Sequence, residues 1–218
     1  GINIKITMPK IPKKELEVLN DKELEKIEEY IVNNLDNTTI SIYLSLYTGI
    51  RIGELCGLKW KNIDLKNKKI FIEKTLIRVK NTNKNDRRKT VVILDTPKSE
   101  SSIREIPIPN FLIPLLKNFS NVSNEAYLTS GTEHYVETRT HSNRYKNILK
   151  KLELKSYKYH ALRHTFATRC IEDGCDPKTL SQILGHSSVK ITLEKYVHPS
   201  YNNKVKMMNK LKPKYIKK

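Results

Sequence analysis

Apolar residues in the first part of the chain recur every three or four positions, which is the spacing of amphipathic helices. Residues 19–34 carry this pattern, and Asn20 followed three positions later by Glu23 is the sequence signature of a capping box. Residues 38–49 form a second helical segment that is expected to end at its final glycine. The apolar stripe of the first helix consists of Leu24, Ile27 and Ile31.

The stretch IRIGELCGLKW, residues 50–60, is also predicted to be helical. Arg51 and Glu54 lie three positions apart in it, so a helix places both on one face. Further along, β-branched residues in partial alternation predict strands. The predicted strand segments are residues 68–79, 89–97 and 102–109, with a polar hairpin tip, KNTNKNDRRK, between the first two.

From about residue 109 onward the pattern is predicted to be helical throughout. Gly174 suits the end of the helix over residues 159–174, and Asp176 with Pro177 is typical of an N-cap and a first helical position. The helix that they open is expected to end at Gly185. Helices therefore flank a small antiparallel β-sheet, and the sequence predicts an α+β fold that is mostly helical. The other helical segments are residues 110–119 and 140–152.

The net charge and its distribution along the chain indicate which class of molecule the protein binds. The chain has 41 lysines and arginines against 23 aspartates and glutamates, which gives a net charge of +18 over 218 residues. After Glu194 there is no acidic residue, whereas eight lysines follow. A Lys- and Asn-rich composition alone would give a similar total, but the one-sided distribution favours a polyanion as the partner.

Length and hydrophobicity bound the architecture. At 218 residues and 38% hydrophobic content, the chain can bury one sizeable core, and we expect one domain over residues 15–218. Residues 1–14 are expected to be a linker, and the chain is expected to be a fragment of a longer protein. No apolar run approaches the about 20 residues that span a bilayer, so no membrane partner is expected.

Cys56, Cys170 and Cys175 lack zinc-site spacing and are expected to be reduced packing residues.

Three motifs concentrate residues suited to phosphate chemistry: TGIRIGELCGLKW, HALRHTFAT and LGHSSVKITLEKYVH. In the second, His160 and Arg163 lie three positions apart, so both can converge on one anion. HALRH also has the histidine spacing of a zinc protease helix, but Ala161 stands where HExxH needs its general-base glutamate, and we reject that enzyme. His164 is the second histidine of this pattern.

In this order and at these distances, the motifs resemble those of the catalytic domain of tyrosine recombinases, a family that includes phage integrases and the integrases of conjugative transposons. The resemblance runs from about residue 15 to the C-terminus. It implies that residues 1–14 are a linker from a missing N-terminal DNA-binding region. It implies a tyrosine recombinase-like fold and an enzyme that cleaves and rejoins double-stranded DNA through a 3′-phosphotyrosyl intermediate, for integration and excision of a mobile genetic element. It also implies that no metal or other cofactor is needed, and that the protein is bacterial, cytoplasmic and nucleoid-associated.

The resemblance assigns two arginines and their support. Arg51 and Arg163 match the pair that grips the nonbridging oxygens of the scissile phosphate with forked hydrogen bonds, and Glu54 matches an acidic residue that props the site. Lys98, in TPKSESSIREIPIP, matches a β-hairpin lysine that protonates the leaving 5′-oxygen. Lys89 and Arg104 lie close by on the same strands, so this assignment stays open.

His160 matches the family's general-base or phosphate-contacting histidine, and His186 matches a position that is His or Trp in relatives. Tyr196 matches the nucleophile. A phenol, with a pKa of about 10, is protonated at neutral pH and therefore needs a base and a positive field to attack. The position relative to LGHSSVKIT distinguishes this tyrosine from its neighbours, Tyr157, Tyr159 and Tyr201.

The C-terminal tail, with a helix expected over about residues 201–212, has Tyr201, Val205 and Met208 at helical spacing. In the family such tails pack on a neighbouring protomer, which implies that several copies assemble in a synaptic complex. Folding of the tail back on its own domain stays open.

Two further classes of function are weighed. In a non-catalytic DNA-binding protein, the segment DPKTLSQILGHSSVKITLEKYV would form a helix–turn–helix motif, with Gly185 in the turn and residues 189–196 as the recognition helix. That interpretation gives no reason for Arg51, Lys98 and the His160–Arg163 pair to accompany it. An RNA-binding module lacks the aromatic platforms of single-strand readers.

Overall fold

A computed structural model describes residues 16–83, 85–97, 99–197 and 201–212 of the chain. The predicted linker, residues 1–14, lies outside the described residues. The helices are α1 Asp21–Asn33, α2 Asn37–Thr48, α3 Ile52–Cys56, α4 Leu112–Lys117, α5 Thr138–Lys151, α6 His160–Glu172, α7 Pro177–Leu184, α8 Val189–Tyr196 and α9 Tyr201–Asn209. The strands are β1 Ile63–Asp64, β2 Lys69–Ile72, β3 Thr75–Lys80, β4 Thr90–Asp95 and β5 Arg104–Pro107.

The helix boundaries follow the local signals of the sequence. The Asn20 side chain accepts a hydrogen bond from the Glu23 amide at 3.0 Å, and the Glu23 carboxylate accepts one from the Asn20 amide at 2.9 Å. These two bonds satisfy amide groups that the first turn of α1 leaves without partners. At the start of α7, Asp176 accepts from the Thr179 amide at 2.8 Å, and Pro177 is the first helical residue.

The strands form two small antiparallel sheets instead of the single sheet predicted. One has the order β1-β2-β5, and the other is the β3-β4 hairpin. The predicted strand over residues 68–79 is therefore two strands, because the residues between β2 and β3 interrupt it and its halves pair with different partners. The polar hairpin tip lies between β3 and β4, as predicted.

Two other predictions of local structure were wrong. The stretch 50–60 contains a helix of only five residues, α3, and a 3-10 turn, Trp60–Asn62, begins at its last residue. The chain is not helical throughout from residue 109, because residues 118–137 contain turn-forming Ser, Asn and Gly and lie as turns. They are fixed to the domain by an isolated bridge between Lys59 and Tyr127.

The buried side chains form two hydrophobic clusters. The larger one joins the inner faces of α1, α2, α5 and the three-stranded sheet, and it includes the predicted stripe of α1. The smaller one packs α8 against α6 and α7, and its buried members are Ala167, Leu180, Leu184 and Tyr196. No helix within the described ranges has the length and apolar character that crossing a bilayer requires.

The α7–α8 turn is tightly packed at a glycine. Gly185 has a positive φ of 63°, and a Cβ there would lie 2.9 Å from both Arg104 Nη1 and Ser101 O. Gly174, at the end of α6, has a positive φ of 88°, but its nearest such neighbour is Lys210 Nζ at 3.8 Å. The two glycines therefore share a left-handed backbone and differ in the space around them.

We expect Gly174→Ala to lower the free energy of unfolding by about 1–2 kcal/mol, which is the cost of a side chain in the left-handed conformation. Gly185→Ala is expected to cost about 1–3 kcal/mol more because it also overpacks the turn. Urea denaturation of both variants measures the difference. Equal losses would contradict the crowding described at Gly185.

Candidate active site

Three arginines surround the last turn of α7. Each one donates to a different backbone carbonyl, and the three acceptors are consecutive in the sequence. Carbonyls at the end of a helix have no intrahelical partner and carry the negative end of the helix dipole, so they attract cations. The three pairs are Arg104 Nε with Ile183 O at 2.6 Å, Arg163 Nη2 with Leu184 O at 2.8 Å, and Arg51 Nη2 with Gly185 O at 2.8 Å.

A buried carboxylate joins two of these arginines. Glu54 is 3% exposed; its Oε1 and Oε2 accept from Arg104 Nη1 and Nη2 at 3.0 and 2.9 Å, respectively. Its Oε1 also accepts from Arg51 Nη1 at 2.8 Å, and its Oε2 from the Arg51 amide at 3.0 Å. Burial alone would raise the pKa of Glu54, but the hydrogen bonds and charge of Arg104, and then the charge of Arg51, bring it below the ordinary value.

Arg163 is held from two sides. The residue is 3% exposed, and its guanidinium donates through Nη1 to Gly49 O at 2.7 Å as well as to α7. Gly49 ends α2 with a φ of 63°, so the same turn that places Arg51 two residues later also orients Arg163. Burial lowers the pKa of Arg163 most, and the charge of Arg51 lowers it too. Arg163 is nevertheless a cation at neutral pH, as arginines in proteins are.

The histidines of α6 lie beside these cations. The rings of His160 and His164 meet edge to face, with centroids 4.6 Å apart. The His160 residue is exposed. Desolvation by the surrounding protein atoms and then the charges of its neighbours lower its pKa to about 4; these neighbours are His164, Arg163, Lys195 and Arg51. Its ring is therefore neutral at pH 7.

Tyr196, the last residue of α8, enters the same region. Its side chain is 6% exposed, and its hydroxyl lies 2.9 Å from His164 Nδ1. Its ring is parallel to that of His186, with centroids 6.4 Å apart, and His186 Nδ1 contacts Thr192 Oγ1 at 2.8 Å. Burial raises the pKa of Tyr196, whereas the charges of Arg163 and Arg51 act in the opposite direction.

Comparison with known proteins identifies the family to which the chain belongs. The sequence model described as "Phage integrase family" matches residues 17–203. The chain belongs to the phage integrase family. A tyrosine recombinase XerC-like protein of Caldanaerobacter subterraneus subsp. tengcongensis is 34% identical over 97% of this chain, and the ICEBs1 integrase of Bacillus subtilis is 30% identical over 77%. The chain spans 59% and 46% of the lengths of these two relatives.

Solved structures of the family share the fold. The Tn1549 transposon integrase, in a complex with circular intermediate DNA, is 26% identical with a TM-score of 0.71, over 94% of this chain and 68% of the integrase chain. A XerA recombinase is 25% identical with a TM-score of 0.66, over 94% of this chain and 68% of the recombinase chain. These matches confirm the predicted fold class and the predicted family.

Most of the predicted site residues of this phage integrase family member lie together. Arg51, Arg163 and His186 meet at the end of α7, and His160 and Tyr196 lie on either side of His164. Glu54 contacts Arg51, as the spacing predicted, and the Glu54 side chain of this ion pair is buried. Lys98 lies outside the described residues. Among the described residues, no three His, Cys, Asp or Glu side chains group in a way that could hold a metal ion.

The structural importance of Arg104 was not predicted from the sequence. Its side chain is 6% exposed and donates to Glu54, to α7 and to the Ser102 carbonyl at 3.0 Å. The signal was available, because residues alternate between buried and exposed along β5 and Arg104 shares the buried phase with Ile106. An arginine at an inward-facing strand position requires a buried acceptor, and Glu54 is that acceptor.

Proposed function

We propose that this chain is the catalytic domain of a site-specific DNA recombinase, in which Tyr196 attacks the phosphodiester backbone of double-stranded DNA. The observation that carries the proposal is the position of the Tyr196 hydroxyl, which lies 2.9 Å from His164 Nδ1 and close enough to Arg51 and Arg163 for their charges to act on its pKa. The net charge of +18 supports a polyanionic substrate.

In the proposed reaction the Tyr196 oxygen forms a bond to phosphorus, and the bond between phosphorus and the 5′-oxygen breaks. The product is a 3′-phosphotyrosyl linkage and a free 5′-hydroxyl. Arg51 and Arg163 stabilise the charge that grows on the nonbridging oxygens, because preorganised cations need no rearrangement in the transition state. Arg51, at 34% side-chain exposure, is the more accessible of the two.

Two proton transfers accompany the bond changes. The phenol proton goes to a base, and the neutral imidazole of His160 is the group that we assign to this role. The leaving 5′-oxygen takes a proton, and we assign its donation to Lys98. His186, beside the Tyr196 ring, contacts the phosphate. The reverse sequence with a different 5′-hydroxyl rejoins the strand, so the exchange conserves the number of phosphodiester bonds.

The names of the relatives support a role in mobile elements. Besides the two described above, the transposase of transposon Tn916 from Enterococcus faecalis is 27% identical over 78% of this chain. We therefore propose that the reaction serves integration and excision of a mobile genetic element. The helix–turn–helix alternative is not favoured, because a non-catalytic binder gives no reason for the buried contacts of Arg51, Glu54 and Arg104.

We also propose that α9 docks on a second copy of this chain. Its described apolar side chains face solvent: Val205 is 41% exposed, Met207 60% and Met208 65%, and Leu211 just beyond the helix is 72% exposed. Among the described residues of this segment, most of the surface of Met207, Met208 and Leu211 is therefore not covered by the chain's own domain. A helix with exposed apolar residues is a docking element for a groove on a partner, and assembly on DNA brings copies of the chain together.

The covalent intermediate is the direct test of the nucleophile. The protein is incubated with a pool of labelled duplexes of varied sequence and is then denatured. Each duplex is nicked so that the short fragment with the new 5′-hydroxyl diffuses away after cleavage, while the labelled strand stays attached to the protein. We expect a labelled protein–DNA band that protease removes, and that is absent from Tyr196→Phe. Tyr135→Phe, a matched change at a tyrosine that is 42% exposed, is expected to retain the band. DNA binding without a covalent band, or a band that persists in Tyr196→Phe, would contradict the proposed function.

The docking of α9 is tested by a charge at its apolar positions. Met208→Asp is expected to reduce the number of protomers that assemble on the duplexes that the protein has covalently bound, because it places a carboxylate in an apolar contact. Asn209→Asp adds the same charge to the neighbouring residue and is expected to have little effect. Analytical ultracentrifugation of the DNA complexes measures the assembly. Unchanged assembly in Met208→Asp would show that α9 does not dock through this residue.

A further inference from the structure

The Tyr196 hydroxyl has one side-chain hydrogen-bond partner among the described residues. That partner is His164, whose Nδ1 lies 2.9 Å from the phenol oxygen. His164 is half-buried on α6, between His160 and Tyr196. The sequence resemblance assigned this histidine no role in the reaction.

The chemistry of the pair fixes which group donates. Burial, followed by the charges of Lys195 and Arg163, lowers the pKa of His164 to about 4. The imidazole is therefore neutral at pH 7 and offers a lone pair on one ring nitrogen. Since the phenol of Tyr196 is protonated, its hydroxyl donates and His164 Nδ1 accepts.

The hydrogen bond fixes the hydroxyl of a side chain whose ring packs among apolar residues. The Tyr196 ring packs in the smaller hydrophobic cluster with Ala167, Leu180 and Leu184. A ring held only by apolar contacts can still move along its axis, whereas a hydrogen bond at the hydroxyl sets one position. That position lies on the side of α6 that also carries His160, one helical turn before His164.

We propose that His164 is a positioning residue, which holds the Tyr196 hydroxyl on the side of α6 that carries His160 and Arg163 until DNA binds. When DNA is bound, the phenol exchanges this hydrogen bond for one to His160, which takes its proton. This inference rests on the proposed function, because it assigns a step in the same reaction. His164 acts through Tyr196 and need not contact DNA. Misplacement of a reacting group by about 1 Å can cost a hundredfold in rate, so the effect belongs in the chemical step and not in DNA affinity.

The hydrogen bond itself is tested without DNA. In protein labelled with ¹⁵N histidine, the Nδ1 resonance of His164 is expected to report an unprotonated nitrogen that accepts a hydrogen bond. In Tyr196→Phe this resonance is expected to move toward that of a free acceptor, whereas the resonances of the exposed His134 stay in place. A His164 signal that Tyr196→Phe leaves unchanged would overturn the inference.

The role in the reaction is tested by three substitutions at one position. His164→Leu is expected to slow covalent adduct formation at saturating DNA by about tenfold or more, with unchanged DNA affinity. His164→Asn places an amide near the position of Nδ1 and is expected to recover most of the rate. His164→Gln places the same amide farther out and is expected to recover little. If His164→Leu fails to fold, the contrast between Asn and Gln still decides.

The outcomes separate this inference from the proposed function. No adduct from the unsubstituted protein, with any duplex in the pool, contradicts the proposed function. An adduct that forms at the same rate or faster in His164→Leu contradicts the positioning role alone. Equal rates in His164→Asn and His164→Gln would also contradict it, because a general packing role does not distinguish where the amide lies.

Discussion

The candidate site depends on one buried carboxylate, Glu54, which lies between the guanidiniums of Arg104 and Arg51. A site for a phosphate has to keep several cations together while no phosphate is present. Like charges repel more strongly away from water, so the protein has to supply negative charge of its own. Glu54 supplies a full charge, and the carbonyls at the end of α7 supply the partial charge of a helix C-terminus. Removal of one partner from a buried ion pair costs about 3–5 kcal/mol, a large share of the about 5–15 kcal/mol that stabilises a typical domain.

The same contacts connect distant parts of the chain. Glu54 belongs to α3, Arg104 opens β5, and the carbonyls belong to α7, so one network joins the sheet to the C-terminal helices. Since α8 follows α7 after the turn at Gly185, the position of Tyr196 depends on how α7 is held. The smaller hydrophobic cluster then fixes α8 against α6, where His160 and His164 lie. The position of Tyr196, the proposed nucleophile, thus depends on packing that begins at Glu54, 142 residues earlier in the sequence.

The sequence predicted features that depend on near neighbours. The capping box of Asn20 and Glu23 and the Asp176–Pro177 start of α7 were correct because their hydrogen bonds close within one helical turn. The family motifs predicted which residues to examine, and the structure brings Arg51, Glu54, His160, Arg163, His186 and Tyr196 together. The division into two sheets was missed because strand pairing depends on partners far along the chain. The contact of Tyr196 with His164 joins residues on two helices, and periodicity in one segment does not reveal it.

A double-mutant cycle tests whether Glu54 and Arg104 act as one unit. The free energies of unfolding are measured for Glu54→Gln, Arg104→Met and the double variant, beside the same cycle at Glu105 and Lys69, whose ion pair is exposed on the same sheet. We expect a coupling of about 1.5–3 kcal/mol between Glu54 and Arg104, and less than about 1 kcal/mol for the exposed pair. Additive losses at Glu54 and Arg104 would show that the carboxylate does not hold the arginines together.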